Sequence, residues 1–192
     1  GGDVEIRSAG YLGSGTADVI ISGDINALGD LTVDSYGELT LTAGGSLTAG
    51  VLVGLSSRDQ MLIAGDVYGR YIRAAIDNIA GVDGAAIRVE GNLYADRTIG
   101  LFNQVGDVEI GAGAQVIANL DGLPYQTYQT YDIEILGEDI LTAAGSLITT
   151  GAAAGPRLGA VLIESTDAGG ATTLVDLSGD IDTDLLQIDI DD

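Results

Sequence analysis

The 192-residue chain contains no cysteine, histidine or tryptophan, and all seven of its basic residues are arginine. Without cysteine there is no disulfide framework and no thiolate chemistry. Without histidine or lysine the usual general bases are missing, and neither a G-x-S-x-G elbow nor a glycine-rich phosphate loop is present. No run of 18 apolar residues occurs, so no segment reads as a membrane-spanning helix. Neither an initiator methionine nor a signal peptide stands at Gly1, and the repeat texture described below reaches both ends. The expectation is one domain over residues 1–192, a processed or excerpted piece of a longer chain.

Positive charge is also scarce. Twenty-nine acidic residues face seven basic ones, for a net charge of −22. Nucleic acid and anionic membranes are bound through cationic side chains, so this balance argues against both as partners and against membrane insertion. It suits a strongly hydrated extracellular surface, high salt or divalent cations. Aromatic residues make up only 5% of the chain against 46% hydrophobic residues overall, which leaves Val, Ile, Leu and Ala to fill the core. Glycine, at 30 residues, is about twice the usual 7% share and lacks the three-residue period of collagen. Such a chain turns a corner every few residues.

What fills the intervals is strand grammar. From Asp18 to Gly50 the chain reads DVIISGDINALGDLTVDSYGELTLTAGGSLTAG, very short apolar alternations closed by Gly, Asp or Ser. An apolar-polar-apolar triplet in a strand buries two side chains and exposes one. The triplet recurs with a charged middle residue at Val4-Glu5-Ile6, Ile87-Arg88-Val89, Val108-Glu109-Ile110, Ile133-Glu134-Ile135 and Ile188-Asp189-Ile190. Strands this short do not make a stable hairpin alone, whereas stacking like upon like supplies partners.

Spacing supports stacking. The pentapeptide Gly2-Asp3-Val4-Glu5-Ile6 returns as Gly106-Asp107-Val108-Glu109-Ile110, an offset of 106 − 2 = 104. An apolar-x-Gly-Asp/Asn-apolar motif lies on Gly23, Gly65, Gly91 and Gly179, at offsets of 65 − 23 = 42, 91 − 65 = 26 and 179 − 91 = 88. Three of the four offsets approach multiples of about 21, a solenoid-like repeat, and the fourth requires a small insertion. The fold class expected is therefore all-β: a single parallel β-helix of about nine coils of about 21 residues, roughly 40 Å long at about 4.8 Å per coil. A β-sandwich module, with hairpin pairing, is the alternative architecture.

Several stretches stand out against this background. Tyr71–Ala80 places Ile72, Ala75, Ile76 and Ile79 at i, i+3, i+4, i+7, predicting one or two helical turns. Arg58, Arg70, Arg73, Arg88 and Arg97 cluster in the middle third and are expected to pair with nearby carboxylates, in surface pairs that contribute only about 0 to 1 kcal/mol each. In LDGLPYQTYQTYD, Tyr125, Tyr128 and Tyr131 recur every third residue, which fits an extended polyproline-like loop with the rings on one side. Three such rings form a stacking platform for a glycan, a contact for another subunit, or a cover over the end of the core.

Asp180, Asp182 and Asp184 have the D-x-D-x-D opening of an EF-hand calcium loop, but the sixth and twelfth positions hold Leu185 and Asp191 where glycine and a bidentate glutamate are needed. A strand with a solvated acidic face explains the alternation as well, so calcium is a candidate ligand and no other cofactor is indicated. Carboxylate pairs alone do not define a glycosidase among 29 acids.

The runs GELTLTAGGSLTAG, DVEIGAGAQVIA and DILTAAGSLITTG resemble the repeats of filamentous-haemagglutinin-like large exoproteins and other β-helical bacterial adhesins. The resemblance covers residues 1 to 120 and 132 to 180 in texture and transfers no functional residue. It implies a secreted or cell-surface fibre built on a right-handed parallel β-helix. The expectation is thus a structural, non-catalytic segment of an extracellular or cell-surface fibre or adhesin that stacks end to end, its partners being further copies of itself and a glycan or host surface. Two alternatives accompany it: a glycan- or calcium-binding surface module, and a polysaccharide-degrading β-helix enzyme.

Overall fold

The computed structural model describes residues 2–8, 17–77, 84–121, 131–151, 159–166 and 173–190. Among them there is no helix, and the chain forms twenty strands in two sheets of thirteen and seven strands. After β1 (Val4–Arg7), the strands follow in threes. The first rounds are β2 (Val19–Ile21), β3 (Asp24–Ala27) and β4 (Leu31–Asp34), then β5 (Leu39–Leu41), β6 (Ser46–Ala49) and β7 (Leu52–Ser57). Next come β8 (Met61–Ile63) with β9 (Asp66–Ile76), and β10 (Ala86–Val89) with β11 (Asn92–Phe102). Then follow β12 (Asp107–Ile110), β13 (Gln115–Ala118) and β14 (Ile133–Gly137), and β15 (Ile140–Thr142), β16 (Leu147–Thr150) and β17 (Ala160–Ser165). The last round is β18 (Val175–Leu177), β19 (Asp180–Asp182) and β20 (Leu185–Ile190).

Every pairing among these strands is parallel, and three ladders result. The seven-stranded sheet is the first, running β2-β5-β8-β10-β12-β15-β18. The thirteen-stranded sheet carries a second, β3-β6-β9-β11-β13-β16-β19, and a third, β1-β4-β7-β9-β11-β14-β17-β20; β9 and β11, at 11 residues each, run through both. The chain visits the ladders in the same order each time. Parallel neighbours cannot be joined by a tight hairpin, and here the residues between two neighbours are themselves strands of the other ladders. With no antiparallel pair among the described residues, the hairpin-paired sandwich is not the arrangement. Long parallel ladders of this kind are compatible with a β-solenoid.

The register measures the period. In the first ladder Val19 pairs with Leu39 and Leu39 with Met61, steps of 39 − 19 = 20 and 61 − 39 = 22. The step from Met61 to Ile87 is 26, which places the expected insertion in the round that contains residues 78–83. Later steps, Val108 to Ile140 and Ile140 to Val175, grow to 32 and 35. The spacing near 21 therefore belongs to the first half of the chain.

Alternation assigns the two faces of each strand. Leu31, Leu39, Leu41, Leu47, Ile63 and Leu93 are fully buried, and the residues between them point outward. Each buried side chain of this kind removes about 1.5 to 3 kcal/mol worth of apolar surface from water. The charged middle residues Glu5, Arg88 and Asp189 are exposed as the triplets predict. Small polar side chains close one corner from inside. Ser35 Oγ donates to Glu38 O at 2.7 Å, Ser57 Oγ to Gln60 O at 2.8 Å, and Asn103 Nδ2 to Asp107 O at 2.9 Å. Each ties the two sides of the bend together; the Glu38 and Gln60 carbonyls also accept from Val19 N and Leu39 N of the preceding round, both at 2.9 Å.

The Gly-Asp/Asn motif marks another corner, between the first and second ladders. Asp24, Ser46, Asp66 and Asn92 are register partners, so Gly23, Gly45, Gly65 and Gly91 form one column. A Cβ on Gly65 would land on the carbonyl oxygen of Gly45 and lie 2.7 Å from that of Thr42; one on Gly91 would land on the carbonyl oxygen of Gly65. The backbone of one round occupies the space a side chain would need in the next. The 88-residue offset to Gly179 fits the same column, because Gly179 precedes β19 as Gly91 precedes β11; it spans three lengthened rounds and not four of even length.

Two expectations are corrected. Tyr71–Ile76 is the second half of β9, not a helix: Ile72, Ala74 and Ile76 point inward at period two, opposite Val53, Leu55 and Ser57. The i, i+3, i+4 coincidence arises because Ala75, on the outward row, is also apolar; Ile79 lies outside the described residues. The repeated pentapeptide is no structural repeat, since β1 belongs to the third ladder and β12 to the first. Its offset near 105 is coincidental.

Candidate functional site

The third ladder presents the face with the most chemistry. Its outward row runs Thr32, Gly54, Arg73, Gly100, Glu134, Leu162 and Gln187, each opposite the next. Arg73 is thus flanked above and below by glycine, and its side chain is exposed. A Cβ on Gly100 would overlap the Phe102 ring, which lies back across it. The ring in turn faces Arg73, whose guanidinium carbon is 5.3 Å from its centroid.

Arg73 borders three open hollows on this face, of about 550, 240 and 330 Å³. The largest adds Arg58, Ser56, Asp77 and Gln104. The second adds Tyr71, Tyr131 and Glu134, and the third Arg7, Thr32 and Asp34. Arg58 enters from the bend after β7 and stacks on Tyr36, with its guanidinium carbon 3.5 Å above the ring centroid. Arg70 lies over Tyr71 at 5.5 Å. A guanidinium held face-on to a ring keeps its N–H donors in its own plane, free for a planar oxyanion.

The arginines therefore divide. Arg88 pairs with Glu109 across one ladder step at 2.7 Å, and Arg97 with Asp121 at 2.7 Å, as expected for the middle third. No ion pair is formed by Arg58, Arg70 or Arg73 among the described residues, and aromatic rings take the place of carboxylates. Of the groove's own acids, Asp34 is engaged: it accepts from Ser56 Oγ and lies 3.7 Å from Arg7 Nε. Sequence reasoning grouped the five arginines but missed this division, because adjacency across rounds decides it.

Three carboxyls near these ladders titrate above the ordinary range. Burial raises Asp132 despite the hydrogen bond its Oδ2 accepts from Ala160 N at 2.9 Å. Burial and the neighbouring Glu164 raise Glu134, and burial and Asp139 raise Asp107.

Of the sites expected from sequence, Tyr125 and Tyr128 lie outside the described residues. Tyr131 donates its hydroxyl to Gln187 Oε1, two rounds on, and borders the Arg73 face. Asp180 and Asp182 project from β19 on either side of Ile181, opposite Leu147 and Thr149, and Asp184 sits in the bend before β20. Among the described residues, no three His, Cys, Asp or Glu side chains are grouped to hold a metal ion.

Compared with known protein families, curated proteins and solved structures, the chain matches none.

Proposed function

We propose that this chain is a structural, non-catalytic β-solenoid segment of an extracellular or cell-surface fibre or adhesin, a single domain that extends by adding strands at its open ends. On this reading the described strands make seven tiers of three with β1 as an eighth partial tier, and the nine tiers expected from an even 21-residue period give way to fewer, longer ones.

One observation supports it above the rest. The last round leaves its inward positions uncovered: Leu186, Ile188 and Ile190 are 41, 42 and 52% exposed, though their register partners Val161, Ile163 and Ser165 are fully buried. Among the described residues β20 pairs with β17 alone, so its other edge carries no strand partner there and lies beside an apolar surface. Open parallel edges recruit further strands. At the opposite end, among the described residues, β1 pairs only with β4 and its Val4 and Ile6 are half-buried. Two unlike ends that share an aliphatic cross-section favour a head-to-tail contact, which does not close and so gives a filament.

A dilution series followed by light scattering and negative-stain electron microscopy tests this. Rods that lengthen with concentration are expected, together with their loss in Ile188→Lys, which sets a charge on the uncovered end. Compact monomers at every concentration from the complete natural chain would overturn the reading.

A further inference from the structure

We propose that the Arg73 face binds a carboxylate-bearing linear saccharide, a polyuronate. This goes beyond the fibre reading and does not depend on it, since the site lies on the side of the ladder and not at an end. In a chain of net charge −22, the groove sets Arg7, Arg58 and Arg73 beside Asp34, Asp77 and Glu134, so the acidic excess of the rest of the chain is locally balanced. Arg7 is itself paired with Glu5 at 2.6 Å, which leaves Arg58 and Arg73 as the cations open to a ligand. Asp34 is already occupied by Arg7 and Ser56, whereas Arg58 and Arg73 rest on rings. Their forks match a carboxylate in bidentate fashion. Gln104, exposed beside them, supplies an amide for sugar hydroxyls.

Shape selects the class. The hollows meet at Arg73 and run across the strands, over Gly54 on one side and the Phe102 ring that covers Gly100 on the other, which suits an extended polymer lying along the stacking direction. A peptide docking by strand addition needs a free sheet edge, and the face of a fully paired ladder has none, because its backbone groups are consumed between rounds. An acidic peptide read by the arginines alone is the rival ligand, and the polyglutamate comparison below tests it.

The test is retention of the whole protein by immobilised polymannuronate at low salt with chelator present, compared with neutral dextran, dextran sulfate and polyglutamate. Retention on polymannuronate above all three is expected. Arg73→Ala and Arg58→Ala should each weaken it about tenfold, as loss of one charge-assisted pair implies. Arg73→Lys should fall between, since it keeps the charge and loses the fork. Asp77→Asn should strengthen retention by removing a competing carboxylate, a gain that a misfolded variant would not give. Equal retention on neutral dextran, a preference for polyglutamate or dextran sulfate, retention only with calcium, or arginine variants that bind like the parent would each overturn the proposal.

Discussion

Tyr68 and Tyr94 are register partners in adjacent rounds, and their rings stack with centroids 5.1 Å apart at an interplanar angle of 13°. The pair is tied into its surroundings: Tyr94 Oη donates to Gln115 Oε1 at 2.9 Å, and Asp66 accepts from Asn92 Nδ2 at 2.8 Å. Three consecutive rounds are thereby linked on the outside of the second ladder. Replacing Tyr94 with Ala should cost about 1 kcal/mol, the usual scale of an aromatic pair. For a chain of this size that lowers Tm by about 2–4 °C. A double-mutant cycle with Tyr68→Ala should return a coupling of about 0.5–1.5 kcal/mol; strictly additive losses would show that the rings do not cooperate.

Glycines of the same motif should respond differently. Gly65→Ala forces a methyl group against the carbonyls of Gly45 and Thr42 and should destabilise by about 2–4 kcal/mol, an overpacking cost that a rigid backbone cannot relax. Gly23 begins the column, and a Cβ there meets nothing within 4 Å. Gly23→Ala should therefore change stability by less than about 0.5 kcal/mol, or raise it slightly by restricting the unfolded chain. Chemical denaturation of the two variants makes the comparison.

The raised carboxyls set a pH dependence. Asp107, Asp132 and Glu134 have folded-state values above their unfolded ones, so each takes up its proton more readily in the folded chain. The stability this contributes is complete below the unfolded value and lost as pH rises through the folded value. Thermal stability should rise as pH is lowered through the folded values of these carboxyls towards the ordinary carboxyl values of about 4, helped by relief of the acidic self-repulsion. Glu134→Gln should raise Tm at pH 7 and flatten that slope. An unchanged slope would mean that the Glu134–Glu164 relationship is not felt.

Calcium gives a fourth prediction. Asp180 and Asp182 belong to a paired strand and not to a loop wrapped around an ion. Adding chelator should leave Tm within about 1 °C at constant ionic strength; a larger drop would place a structural ion in this region.

How much of this was legible in the letters varies with the kind of contact. The short strands were, because alternation such as Leu39-Thr40-Leu41 is local and the burial pattern follows it directly. The motif on Gly23, Gly65 and Gly91 pointed to a true column, since a steric limit at one corner leaves the same residue type at each step. Tyr71–Ile76 misled because an outward alanine completed a helical spacing by chance. The Arg73 face was hidden for a deeper reason: Gly54, Arg73 and Gly100 become neighbours only once the register between rounds is known, and that register drifts from about 20 to beyond 30 residues. Tyr131 was singled out for a ring spacing, yet its described contact is a hydroxyl bond to Gln187.

The glycine corner has a last consequence. In all seven rounds only two to four residues separate a first-ladder strand from the second-ladder strand that follows, as between Ile21 and Asp24 or Ile110 and Gln115. Every longer excursion leaves from one of the other two edges, as between Ala118 and Ile133 or between Ser165 and Val175. The molecule thus has a seam that varies by no more than two residues and two margins that vary freely, so foreign sequence grafted at the margins should leave the stacking untouched, while the same graft at the seam should dislocate it.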